Sequence, residues 1–285
     1  MKFKEKLKSE KFLITAELFP PKGVDIADFM RRASCLIGLD AVNVTDNQRA
    51  SMRVGSLAMC KKLLETGIEP VLQLAARDKN RIALQSELLS ASVLGIENVL
   101  CISGDHPSAG EYIGTKTVYD LDTVQLIKTA RLLETGVDLA GKKLHGSPEF
   151  CVGAVVNPSA QPNDLQALMF EKKVKAGAGF FQTQTIFDAK EYKVFYDKIK
   201  HSGIKVLPGI TLIKSPKFMN FLMKLPGVNI PQNIQDRINN ASDPLCEGIK
   251  IWSELVRELR SFSDGVHIMA IGMEEHIPEI IKDSL

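Results

Sequence analysis

A glutamate set among apolar residues is the first sign of chemistry in this sequence. Glu17 lies between Ala16, Leu18 and Phe19. Burial favours the protonated form of a carboxyl, which suits a general acid near neutrality. Asp105 follows Gly104, and a residue without a side chain permits close backbone approach by a ligand. Together they could supply an acid and an anion beside one bound group. Thr45, Gln73, Asn157 and Gln184 likewise end or interrupt apolar runs. A polar side chain turned into a core costs about 1–3 kcal/mol when it finds no partner. Any one of these four reads most simply as part of a satisfied structural network; for Glu17 the alternative to an acid is half of a buried ion pair, and for Asp105 a helix or turn cap. Their recurrence at equivalent places points instead to a small-molecule site. Arg77 could reach a phosphate or a carboxylate, but it reads first as part of a solvated, charged helix start. Lys173 reads as a solvated helix lysine.

The elements that position these residues alternate between two periods. Strand-like runs cover 12–19, 41–45, 70–75, 98–103, 150–157, 179–185, 205–211 and 266–271. Helix-like stretches between them include 26–37, 50–65, 81–94, 121–134, 165–176 and 189–199. Gly38, Gly67, Gly95, Gly136, Gly177 and Gly203 follow helix ends, where glycine accepts the left-handed conformation that closes a helix. Strict β/α alternation implies a parallel sheet with right-handed crossovers. Eight units favour a closed (β/α)8 TIM barrel, typically ~250 residues long. An open doubly wound sheet is the alternative, but the first turn, Phe19-Pro20-Pro21-Lys22-Gly23, lacks the Gly-x-Gly-x-x-Gly that this fold often carries. The reading is one domain over 1–285, with insertions after strands four and seven. The first contains 105–119 and the basic turn 141–146, and the second contains 226–242 with an extra helix at 234–240. Period-two alternation sends Thr15 and Glu17, and likewise Asn43 and Thr45, toward the barrel axis. The polar residues gather at strand C-termini, the face where barrel enzymes do their chemistry.

Composition narrows the function classes. The chain has 285 residues, of which 45% are hydrophobic and 25% charged, with a net charge of +2. The basic residues are dispersed, which argues against a nucleic-acid groove or a polybasic membrane patch. No apolar run approaches the ~20 residues of a membrane span. The N-terminus begins with a charged helical stretch, not a signal peptide, so a cytoplasmic protein is expected. Five cysteines, widely spaced and without Cys-x-x-Cys, predict neither a disulfide framework nor a cysteine-built cluster. The five histidines show no metal-ligand spacing, so no metal site is expected; His267, in an apolar strand, reads as a core histidine.

Several segments, in this order and spacing, carry a resemblance. They are Thr15-Ala16-Glu17-Leu18-Phe19-Pro20-Pro21, Val44-Thr45-Asp46-Asn47-Gln48-Arg49, Ile102-Ser103-Gly104-Asp105, Lys173-Val174-Lys175-Ala176-Gly177-Ala178, Thr183-Gln184-Thr185-Ile186-Phe187-Asp188 and Pro208-Gly209-Ile210. Over nearly its whole length the chain resembles the methylenetetrahydrofolate reductase family. The resemblance implies a barrel holding a flavin, usually FAD with FMN as the alternative, which passes hydride to 5,10-methylenetetrahydrofolate in one-carbon metabolism and methionine biosynthesis. It implies that Glu17 is the proton donor and Asp105 the aspartate near pterin and flavin. Gln184 then contacts folate and, by turns, nicotinamide. Thr45, Asp46 and Asn47 lie in the segment touching flavin and donor, Tyr119 contacts the flavin, and Lys173 lies near its phosphates. Gln73, Ser103 and Asn157 stand in flavin-contacting positions where many members have histidine, arginine and tyrosine. The segment 271–274 lacks an arginine that contacts substrate in some members. The electron donor is NAD(P)H or a separate iron–sulfur subunit, and an oligomer is expected. Two rivals are a folate-dependent methyltransferase and a flavin-free folate-binding subunit of an electron-transfer complex.

Overall fold

Eight short strands close on themselves in sequence order, each parallel to its neighbours. They are β1 (Leu13–Leu18), β2 (Ala41–Val44), β3 (Pro70–Ala75), β4 (Asn98–Ile102), β5 (Cys151–Val156), β6 (Phe180–Thr185), β7 (Lys205–Thr211) and β8 (Gly265–Met269). The helices are α1 (Phe3–Lys6), α2 (Ala27–Ser34), α3 (Ser56–Glu65), α4 (Arg81–Val93), α5 (Thr123–Glu134), α6 (Asn163–Ala176), α7 (Ala189–Ile199), α8 (Pro216–Leu222), α9 (Gln232–Asn240), α10 (Pro244–Arg260) and α11 (Ile277–Ser284). This computed structural model describes residues 1–112, 114–225 and 227–284. Ile113 and Pro226, in the two expected insertions, and Leu285 lie outside the described residues.

The (β/α)8 expectation holds, because the alternation of side chains works on every strand. Ile14, Ala16, Leu18, Val42, Val44, Leu72 and Leu74 face outward and join the apolar layer beneath the helices. The inward set begins with a separate apolar floor of Leu13, Ala41, Val71, Leu100, Cys151, Phe180 and Leu207. The N-terminal segment closes this floor from below. Phe3 is fully buried and meets the Phe180 ring edge-on, with ring centres 5.2 Å apart. Gly153 makes room for that ring, since a Cβ there would overlap it. Ion pairs hold the segment in place: Lys2 and Lys4 to Glu97, and Lys6 and Lys11 to the buried Asp40.

One local expectation changes, and the two insertions take definite form. The third helix begins at Ser56 rather than at residue 50, because Asn47, Arg49 and Ala50 have positive φ and keep the chain out of a helix. The insertion expected after strand four is divided by α5. Residues 105–119 precede α5 and lie at the strand C-termini, whereas the basic turn 141–146 follows it on the way to β5. The extra helix after strand seven is α9, preceded by α8. Among the described residues, no helix is long and apolar enough to cross a membrane.

Phe3→Ala should lower unfolding stability by about 3 kcal/mol, the usual cost of an emptied aromatic site. Urea denaturation measures this, and a loss below about 1 kcal/mol would show that the floor does not depend on the N-terminal segment.

Candidate active site

Glu17 stands near the top of the barrel interior, 9% exposed. Gln73, from β3, donates through Nε2 to Glu17 Oε2 at 2.9 Å. His267, from β8, places Nε2 3.9 Å from the same oxygen. On its other side, His267 Nδ1 lies 2.9 Å from Thr15 Oγ1. Gln182, from β6, donates to Thr15 Oγ1 at 3.2 Å and to Asn43 Oδ1 at 3.1 Å, and Asn43 Nδ2 donates back to Gln182 Oε1 at 2.6 Å. All six side chains are buried. Strand register explains the meeting: Thr15 pairs with His267 and Glu17 with Asn43. Among the described residues, no lysine or arginine comes within ion-pair distance of Glu17, so the buried ion pair that would have made it purely structural is not formed.

Beside this interior network, three loops are tied together at the mouth. Arg77 is only 2% exposed and donates to Asp78, to the Asn47 carbonyl at 3.1 Å and to the Asp105 carbonyl at 3.0 Å. It is therefore not part of a solvated turn. A guanidinium fork reaches several acceptors in one plane, and here the acceptors come from the loops after β2, β3 and β4. The Asp78 carboxylate beside it holds the guanidinium above its usual range. The Asp105 carboxylate accepts from the Arg49 backbone N–H at 2.9 Å. Gly110 comes so close to the Arg49 and Ala50 carbonyls that a Cβ there would collide with them. Asn47, Arg49 and Ala50, at φ 45°, 54° and 50°, each hold a conformation that costs about 1–3 kcal/mol in a residue other than glycine. A cleft of about 220 Å³ lies here, lined by Asn47, Ser51, Met52, Arg77, Asp78 and Tyr112 among others.

The remaining candidates divide. Thr45 is 1% exposed on the inner face, and its hydroxyl has no hydrogen-bond partner among the described residues. Asn157 sits against Gly227 of the loop after α8. Gln184 is exposed, beside a register shift in β6. Tyr119 donates its hydroxyl to the Gly104 carbonyl at 3.2 Å. Lys173 is not solvated as expected: its ammonium donates to the Val155 carbonyl at 2.6 Å, and burial pulls its pKa below the ordinary lysine value. Two side chains turn away from the mouth. Asp46 accepts from the Ala75 N–H and from Lys79, which also pairs with Glu87 of α4. Ser103 bonds Thr123 at the start of α5. Asn80 caps α4. The sequence reading missed His267 as a neighbour of Glu17. The usable signal was its phase, since Gly265, His267 and Met269 alternate with the outward Val266 and Ile268. Among the described residues, no three His, Cys, Asp or Glu side chains group as a metal site.

A barrel with an acidic group at its mouth is common to many enzymes, and the decisive observation lies in the whole sequence. The profile of the methylenetetrahydrofolate reductase family matches residues 2–284. The chain belongs to this family. A relative in Caenorhabditis elegans, a probable methylenetetrahydrofolate reductase (NADPH), is 24% identical over 93% of this chain, which spans 41% of that protein. The 5,10-methylenetetrahydrofolate reductase of Pectobacterium carotovorum subsp. carotovorum is 26% identical over 76% of this chain and 70% of its own length. A solved Clostridium thermocellum protein that binds two copies of 5-methyl-5,6,7,8-tetrahydrofolic acid has the same fold. It superposes with a TM-score of 0.71 at 16% identity, covering 100% of this chain and 98% of its own.

Arg77→Lys keeps a charge but cannot span three loops. It should cost about 2 kcal/mol, given the value of hydrogen bonds to charged groups, and should speed amide exchange in residues 47–50 and 105–110. Unchanged exchange there, read by mass spectrometry, would show that the loops do not depend on the fork.

Proposed function

We propose that the protein reduces 5,10-methylenetetrahydrofolate to 5-methyltetrahydrofolate, with Glu17 as the proton donor and a flavin as the hydride carrier. The observation that carries this reading is the setting of Glu17 in a chain of the methylenetetrahydrofolate reductase family: a buried carboxyl with amide and imidazole neighbours and no cationic partner. Its neighbours are an amide and an imidazole rather than a lysine or arginine, so the carboxyl is not tied up in a salt bridge. Protonating a ring nitrogen of the methylene-bridged folate opens that ring to a reactive iminium, and Glu17 would deliver this proton. The folate-binding Clostridium thermocellum protein of the same fold supports a folate in this barrel.

The residues at the mouth fit a flavin. The unpartnered Thr45 hydroxyl is a buried polar atom awaiting a ligand. Thr45, Asn47, Gln73 and Tyr119 would line the ring system, with Asn157 beside them, and Lys173 would face the phosphates, where an anion would favour its charged form. Gly104 and the Asp105 backbone would let the cofactor approach closely, with Gln184 toward folate and nicotinamide. Asp46 and Ser103 would act through the loops they hold. When bound, the flavin supplies the hydride, while the protein supplies orientation, exclusion of water and the proton. FAD is the expected form, and NAD(P)H or an iron–sulfur partner the electron source.

The absorbance spectrum of the purified protein, reconstituted with FAD or FMN, tests the cofactor. Flavin bands should bleach with a reductant and return on adding methylenetetrahydrofolate. A protein that stays colourless would turn the reading toward a flavin-free folate protein or a methyltransferase. Glu17→Gln should retain flavin and lose roughly 10²–10⁴-fold in folate reduction, the usual span for a general acid. Near-normal turnover would remove Glu17 from that role.

A further inference from the structure

We propose that His267 is a positioning residue for Glu17, acting as a neutral imidazole with its proton on Nε2. The proposal rests on the reductase reading for its kinetics, but its structural part can be tested without turnover.

The hydrogen-bond chain has a direction. The Gln182 Nε2 group can only donate, and it donates to Thr15 Oγ1. Thr15 therefore keeps one proton of its own to give. Two acceptors are near, His267 Nδ1 at 2.9 Å and the Val266 carbonyl at 3.5 Å. The 2.9 Å contact would serve either direction, but a proton on Nδ1 would leave the Thr15 hydroxyl only the carbonyl at 3.5 Å, so we assign Nδ1 as the acceptor. A neutral imidazole that accepts at Nδ1 carries its hydrogen on Nε2, and Nε2 is the atom facing Glu17 Oε2 at 3.9 Å.

That N–H meets a charge that appears only during reaction. When Glu17 gives its proton to the folate ring nitrogen, the O–H bond electrons stay on the carboxylate. Gln73 already donates to Oε2. A sub-ångström approach would bring His267 to hydrogen-bond length on the same oxygen. Donors fixed where charge develops lower the barrier without reorganising at the moment of reaction. Both donors are neutral, so they stabilise the anion when it forms without locking Glu17 as an anion beforehand. The other groups set against the pair are also uncharged: Thr15 of β1, Asn43 of β2, Gln73 of β3, Gln182 of β6 and Gly209 of β7.

The kinetic test is the pH profile of single-turnover folate reduction. The rate falls as pH rises past the pKa of the acid. Removing a donor to the carboxylate raises that pKa, so the acid stays protonated to higher pH. His267→Leu should therefore move the alkaline limb up by about one pH unit and lower the plateau roughly tenfold. Folate affinity should be unchanged. His267→Gln, which can still present an N–H, should recover most of both. Thr15→Val, which removes the donor to Nδ1, should move the limb in the same direction. A rate lowered equally at every pH, with the limb fixed, would overturn the proposal.

Nitrogen-15 NMR of histidine-labelled protein tests the tautomer directly, with His267→Gln identifying the signal. The Nε2–H form is expected near neutral pH, and Thr15→Val should redistribute it. An Nδ1–H or doubly protonated ring would overturn the proposal whatever the enzyme turns over. If the wild-type protein fails to reduce methylenetetrahydrofolate, the reductase reading falls, and the NMR result still decides the assignment of His267.

Discussion

A carboxyl buried inside a closed barrel must find its partners among strands that lie far apart in sequence. This requirement organises the interior. Glu17 of β1 takes a hydrogen bond from β3 and faces β8, and β8 is tied back through Thr15 to β6 and β2. Each of these side chains would be a liability alone, since an unsatisfied buried polar group costs about 1–3 kcal/mol. Together they form a connected layer resting on an apolar floor. The barrel's closure keeps the set in register, because a one-residue slip of any strand would turn its member outward.

The mouth follows a different logic. Its loops after β2, β3 and β4 are tied together through one guanidinium. Arg77 reaches carbonyls on two neighbouring loops and a carboxylate on its own. The left-handed residues at 47, 49 and 50 are tolerated because Gly110, Asp105 and Arg77 hold that stretch of backbone from several sides. The candidate site thus combines a buried polar interior with a tethered rim.

The barrel was legible in the sequence because alternating hydrophobicity and helix-closing glycines are local signals. The inward placement of Glu17 was legible for the same reason. Asp46 and Ser103 misled because they sit beside true mouth positions but have the opposite strand phase. Arg77 looked solvated because its three acceptors come from different loops, which no local pattern records. His267 looked like an ordinary core residue because its strand is apolar and its partner lies 250 positions away at the other end of the chain (Thr15 and Glu17 against His267). The plug formed by Phe3 was hidden in a stretch that reads only as charged helix.

That plug makes the barrel a well with one opening. Phe3 and the floor residues beneath Thr15 close the lower end, so a ligand that reaches Glu17 along the barrel axis arrives and leaves from above. Visitors too large to pass one another in such a shaft must take turns.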